Sequence, residues 1–241
     1  MEALKIKWAA TLAHVSEVSL LGTADLSYWN DRLRGQDLFP ADRGGKAQIM
    51  IVAADARFKG VRFRELSISV LVEPRNEGSG NSAAFLVGAW SSIRFFAFCE
   101  RVFFHTPYDF AEVRVHSSGP ASLALLKNGE AVFEAQMSAE KTAGNRQVSE
   151  TEEGWEGPVF LPRVGSASQR GEKLFFARMR GITHRYTFLD PGDAFKISPS
   201  STGPFQALID SRFVPEQWAV RPDATHAKSK TYKRSQLAAL L

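Results

Sequence analysis

Apolar and polar residues alternate along most of this chain, and turn-rich points divide it into short β-like runs. Residues 1–22 are rich in Val, Leu, Thr and Ile and predict one or two strands. Between residues 23 and 35 the period changes. Leu26, Trp29 and Leu33 fall at i, i+3 and i+7 with Gly35 as a stop, which predicts a short amphipathic helix. Pro40 and Gly44-Gly45 then break the chain before two long runs, 46–58 and 61–72. In the second, Val61, Phe63, Leu66, Ile68 and Val70 fit alternation after one phase change. Turn residues 76–80 make these runs part of an antiparallel meander.

A strand is expected over 83–90. The stretch 91–104 carries apolar residues almost all round and predicts a helix buried on most sides, ended by Pro107. Period two resumes over 108–116. Lys127-Asn128-Gly129 predicts a hairpin joining 121–126 to 131–137. Residues 138–154 are polar and weakly patterned and predict a long exposed loop. Strands are expected again at 159–161, 173–179, 184–189, 194–197 and 213–220, with no internal repeat and no linker. So many consecutive strands exclude a doubly wound parallel sheet. The expectation is a mainly β (α+β) fold, an antiparallel double sheet or closed barrel with two or three helices and an interior cavity. One domain spans 1–225, and 226–241 form a basic tail whose end, from Ser235, has the composition of a partner helix.

Composition narrows the function classes. The 241 residues are 44% hydrophobic and 23% charged, near the globular average, which excludes disorder and coiled coil. The net charge of +4 is mild, and its one dense cluster, from His226 through Lys228, Lys230 and Lys233 to Arg234, reads as a solvated tail. No nucleic-acid partner is expected. The single cysteine, Cys99, lies among phenylalanines and reads as an inert thiol. His14 and Glu17 interrupt the first apolar stretch, unlike a signal peptide, and no run is long enough for a membrane helix. A cytoplasmic protein with no membrane partner is the expectation.

Standard catalytic motifs are absent: there is no GxSxG, HExxH or P-loop, and Gly78-Ser79-Gly80 lies in a turn with no helix immediately behind it. His14, His105, His116, His184 and His226 are scattered without metal-ligand spacing, so neither metal nor cofactor is expected. The informative segment is 95–116. Arg101 lies on the aromatic helix. On the strand after Pro107, alternation puts Tyr108, Phe110, Glu112, Arg114 and His116 on one face and Asp109, Ala111, Val113 and Val115 on the other. The polar face either meets water or lines a cavity, with Arg101 holding a carboxylate ligand in a bidentate fork. His184, which opens a strand shared with Tyr186 and Phe188, is a further candidate acid or base beside a bound acid.

Residues 101–108, RVFFHTPY, resemble the G-R-E-x-W-G-[FY]-P-K-K segment of acetoacetate decarboxylases. The early helix with Tyr28-Trp29, the Phe63-Arg64-Glu65 strand and the order of strands around the aromatic helix agree with that family over residues 25–137. The resemblance matches Glu65 to a glutamate of the family, and Arg101, Phe104 and Pro107 to the arginine, tryptophan and proline of its motif. It implies a β-cavity for small oxo acids and a homo-oligomer. It also implies a departure. The family's first lysine after the proline forms a Schiff base with substrate, and here Tyr108 and Asp109 follow Pro107, with no lysine between Lys59 and Lys127. Residues 106–113, TPYDFAEV, are nearer to a sister group carrying L-P-Y-x-x-A-x-M.

Three readings follow. The first is a small-molecule-binding protein working as a lyase or isomerase on an oxo acid without a Schiff base. Tyr108 would donate to an oxyanion, Glu65 or Glu112 would move a proton, and Arg101, His105 and His184 would bind substrate. The second is a non-catalytic binder of an apolar or amphipathic molecule. The third is an interaction protein that uses the C-terminal tail.

Overall fold

The computed structural model describes residues 5–74, 83–139, 147–162, 172–189 and 191–240. The expected turn at 76–80, with its Gly78-Ser79-Gly80, lies outside them. β1 (Trp8–Asp25) is one long strand that ends in α1 (Leu26–Leu33), where the Asp25 side chain accepts the Tyr28 N–H and caps the helix. β2 (Leu38–Pro40), β3 (Lys46–Phe58), β4 (Val61–Pro74) and β5 (Ala83–Ser91) complete the meander. α2 (Arg94–Cys99) continues as a π-helical turn over Glu100–Phe104. β6 (Tyr108–Phe110), β7 (Glu112–His116), β8 (Ser122–Lys127), β9 (Glu130–Gln136), β10 (Gln147–Phe160), β11 (Lys173–Thr187) and β12 (Ala194–Ile197) follow. α3 (Pro204–Asp210), β13 (Val214–Ser229), β14 (Tyr232–Lys233) and a 3-10 turn at Arg234–Ala239 end the described chain.

Seven strands form a ring in the order β4-β3-β1-β13-β11-β10-β5, closed because β5 also pairs with β4. All joints are antiparallel except β5–β10, where Ala84 and Phe85 run parallel to Val159 and Phe160. The same edge of β5 takes β6 further along, in parallel, through Ala89, Trp90 and Ser91. β7, β8, β9 and β12 make a separate four-stranded sheet.

Side-chain alternation divides the ring's two faces. Val18, Leu20, Ile49, Ile51, Leu66 and Ile68 from β1, β3 and β4 join Val113, Leu123, Leu125 and Phe133 of the second sheet in the main core. Trp29 and Leu33 of α1 and Phe205 and Leu208 of α3 fill the same layer. The α3 helix was not expected from sequence, although Pro204 at its first turn is a helix-start signal. On β1 and β4 the alternate positions, Glu17, Ser19 and Glu65, turn to the ring's other side, its interior.

Four sequence expectations need correction. Residues 147–154 are part of β10 rather than a loop, held by an antiparallel ladder to β11. The runs 173–179 and 184–189 belong largely to one strand, β11. α2 and its π-helical turn present Phe95, Phe98, Val102 and Phe103 to the outside, so this segment is not buried on most sides. The break expected at residue 226 falls inside β13, and Tyr232 and Leu237 are buried in the main core. A basic run is solvated only if its backbone is free. Here its alternate residues Ala227 and Ser229 are buried as strand positions.

Candidate functional site

The π-helical turn and the ends of three strands bring a polar cluster into the ring. Tyr108 opens β6, which lies beside β5, and its hydroxyl donates to Glu65 Oε2 on β4 at 3.1 Å. Glu100, the first residue of the π-helical turn, is fixed by Thr106, whose hydroxyl donates to the Glu100 carboxylate at 2.7 Å. His105 closes the turn with a positive φ of 57°. Such turns carry one residue more than an α-helical turn and are frequent at functional sites. Glu100 meets the Lys228 ammonium of β13 in an ion pair. Lys228 also lies over the rings of Phe175, Phe104 and Tyr108, at 4.6, 5.0 and 5.4 Å from their centroids.

Deeper along β1 and β13 the cluster continues. Glu17 is ion-paired with Arg221, accepts the Ser19 hydroxyl at 2.6 Å and has His226 Nε2 at 2.7 Å from its second oxygen. Arg221 also approaches Glu153 of β10, which is chelated by Arg185 of β11 through two bonds of 2.6 and 2.7 Å. Glu17 and Arg221 are almost fully buried, at 2% and 5% exposure. Buried charges persist only when paired in this way.

The electrostatics separate the carboxylates. Burial, reinforced by the nearby Glu100 charge, pushes Glu65 up to about 7, against the opposing pull of Lys228, Tyr108 and His226. Burial and the same two carboxylates hold the Tyr108 phenol well above its ordinary range. Burial would also raise Glu17, but His226, Arg221 and Ser19 outweigh it and bring it down to about 2. Hydrogen bonds from Arg185 lower Glu153. The two buried carboxyls are thus driven apart, Glu65 upward toward neutrality and Glu17 downward as an anion.

Of the six residues singled out from sequence, the structure brings Tyr108 and Glu65 together. Glu112 is elsewhere, because the run 108–116 divides at Ala111, whose N–H bonds to Ser91 of β5. Tyr108 thus enters the ring sheet and Glu112 the second sheet, where it is exposed and paired with Arg114. Arg101 follows Glu100 on the π-helical turn, and one helical step rotates it outward into solvent. His105 caps that turn. His184 faces Glu150 across β10 at 3.5 Å, on the side opposite Arg185 and the Glu153 network.

Sequence reasoning missed Lys228, His226, Glu100, Glu17 and Arg221. The one available signal was in residues 225–230, where His226, Lys228 and Lys230 alternate with Ala227 and Ser229 as on a strand. Outside this cluster an open cleft of about 640 Å³ lies near the start of α1, lined by Asp25, Ser27, Asn30, Lys46 and Arg212 among others. Among the described residues no His, Cys, Asp and Glu group has the arrangement to hold a metal ion, and no helix is long and apolar enough to cross a membrane.

The sequence matches no family model and no curated protein. Its structure is similar to solved ones. The enduracididine biosynthesis enzyme MppR complexed with pyruvate superposes with a TM-score of 0.63 at 12% identity, over 95% of this chain and 91% of that one. Acetoacetate decarboxylase from Legionella pneumophila gives 0.62 at 12%, over 95% and 89%. An acetoacetate decarboxylase-like enzyme from Sphingomonas wittichii gives 0.57 at 9%, over 96% and 95%. Identities this low speak to architecture alone. With its closed seven-strand ring and second sheet matched over nearly the whole of each chain, this protein has the acetoacetate decarboxylase-like fold.

Proposed function

We propose that the ring interior binds a small oxo acid, or a related carbonyl and carboxylate metabolite, and moves a proton on it through an enolate. The reaction class is a lyase or isomerase that uses no imine at position 108. The observation that carries this reading is the Tyr108–Glu65 hydrogen bond, with Glu65 raised to about 7 inside the ring. A general acid or base works best with a pKa near the working pH.

A substrate carbonyl that takes the Tyr108 hydroxyl also removes a hydrogen bond that lowers Glu65. The same event therefore places a donor on the developing oxyanion and leaves the carboxylate a stronger base. Lys228 supplies the cation for the substrate carboxylate, the role that sequence had given to Arg101. The charged lining opposes the apolar-ligand alternative, and the neighbour crystallised with pyruvate is an example of this fold with an oxo acid.

The test is proton NMR in deuterated buffer with pyruvate and 2-oxobutanoate. The wild-type protein should speed exchange of the protons next to the carbonyl, and Glu65→Gln should abolish this while thermal-shift binding survives. Absence of both binding and exchange across C3–C6 oxo acids would overturn the reading.

A further inference from the structure

The segment that supplies Glu100 to the ring interior has an outer side that the proposed reaction leaves unused. Phe95, Phe98 and Val102 stand at i, i+3 and i+7 along α2 and its π-helical turn, at 66, 49 and 46% exposure. Phe103 beside them is 66% exposed. The inner side is occupied: Ala97 is buried, and Phe96 packs edge-on against Phe58 and Phe63. Four bulky apolar side chains gathered on one short turn mark a contact surface.

The charges around this face are of one sign. Arg94 and Arg101 are exposed on the same segment. Arg94 lies over the ring of Phe110 on β6, 4.1 Å from its centroid, and extends the face to that strand. Between residues 93 and 104 the one carboxylate, Glu100, is turned inward to Lys228 and Thr106. The β3–β4 hairpin lies alongside. It is tied there by the Arg64 N–H, which donates to the Ser92 hydroxyl at 2.8 Å, and by the Phe58–Phe96 contact. Its tip adds exposed Arg57, Lys59 and Val61, while Asp55 is held by Arg62 and Arg64. The result is an apolar wedge rimmed by cations, with no carboxylate exposed within residues 56–64 or 93–104.

We propose that the outer face of α2 and its π-helical turn, with the tip of the β3–β4 hairpin, binds the surface of an anionic phospholipid membrane. Lipid phosphates take the guanidinium forks, and the phenylalanines enter the boundary between headgroups and acyl chains, as in interfacial helices. A second copy docked two-fold through this face would set Arg57, Lys59, Arg94 and Arg101 against their own duplicates, which like-charge repulsion opposes. The expectation of no membrane partner rested on the lack of a spanning run and does not bear on a contact that lies on the bilayer. The inference is independent of the oxo-acid reading, in which none of these residues takes part.

Co-sedimentation of the full chain with vesicles tests this, using phosphatidylcholine alone or with about one third phosphatidylserine. The wild type should pellet with the anionic vesicles at about 0.1 M salt, stay in solution with the neutral ones and be released at about 0.5 M salt. Phe95→Ser with Phe103→Ser, and separately Arg94→Glu with Arg101→Glu, should each weaken binding by about tenfold or more while the melting temperature holds. Should the phenylalanine variant fail to fold, the arginine variant alone decides. No binding to the anionic vesicles, equal binding to the neutral ones, or unchanged binding in the folded variants overturns the proposal. A dimer that the phenylalanine variant disperses, without vesicle binding, also overturns it and gives the face to a second copy.

Discussion

The Tyr108 hydroxyl and the Glu65 carboxylate meet at 3.1 Å from two strands, β6 and β4, that do not pair with each other. β5 lies between them, paired with both, and sets their separation. Each side chain is held by a separate ladder, so the contact is made by the sheet and not by a loop. Tyr108→Phe should leave the fold intact and lower exchange on oxo acids by about 10²-fold, the usual loss for one oxyanion donor. Kinetics with melting temperature as control check it.

Glu65 also makes stability depend on pH. Its folded value near 7 stands above the ordinary 4.5, so the folded chain holds this proton more tightly than the unfolded one. The stability it contributes is full below 4.5 and is lost as pH rises through 7, by about 3 kcal/mol. Glu17, lowered to about 2, works the other way: its contribution is present above 4.5 and lost as pH falls toward 2. Urea unfolding at pH 5 and pH 8 should show the wild type losing more stability across that interval than Glu65→Gln. Equal losses in the two proteins would contradict the assignment.

Arg221 and Glu17 should prove costly to separate. Removing one partner of a buried pair leaves the other uncompensated, so Arg221→Met should destabilise by about 3–5 kcal/mol. Arg221→Met with Glu17→Gln should cost clearly less than the sum of the single changes, which a double-mutant cycle in urea would read.

Arg101 and Lys228 give opposite expectations. Arg101 is exposed, and Arg101→Leu should leave the affinity for pyruvate unchanged in calorimetry. Lys228→Met should weaken it about tenfold or more, the loss of one charge-assisted contact. The reverse pattern would return the carboxylate to Arg101.

Gly22 on β1 is a packing constraint. A Cβ there would stand 2.2 Å from the Val214 carbonyl oxygen and 2.7 Å from the Phe213 ring. Gly22→Ala should cost about 1–3 kcal/mol, the range for overpacking, measured as a lower urea midpoint.

Many strands of both sheets were legible because they alternate and their turns carry Gly and Asn, as at Lys127-Asn128-Gly129 between β8 and β9 of the second sheet. The hydrogen bond between Tyr108 and Glu65 joins two residues that the sequence singled out, Tyr108 through alternation after Pro107 and Glu65 through the family resemblance. What hid the rest was the range of partners. Glu17 meets Arg221 and Glu100 meets Lys228 over more than a hundred residues, and no local pattern records such meetings. Local alternation also misled at Glu112. Ala111 lets the backbone pass from one sheet to the other, and nothing in its side chain announces the change.

The joint between β5 and β10 carries a further consequence. Ala84–Val159 and Phe85–Phe160 are its two registered pairs among the described residues, whereas its antiparallel neighbours are long ladders. The seam is held chiefly by side chains, with Leu86, Leu161 and Phe175 packed around it. Local openings follow the weakest backbone pairing. Breathing of the band is therefore concentrated here, beside the strand that carries Trp90 and Ser91 to Tyr108. Of the amides at 84–85 and 159–160, those that point into the seam should exchange with water ahead of the ladders of β1.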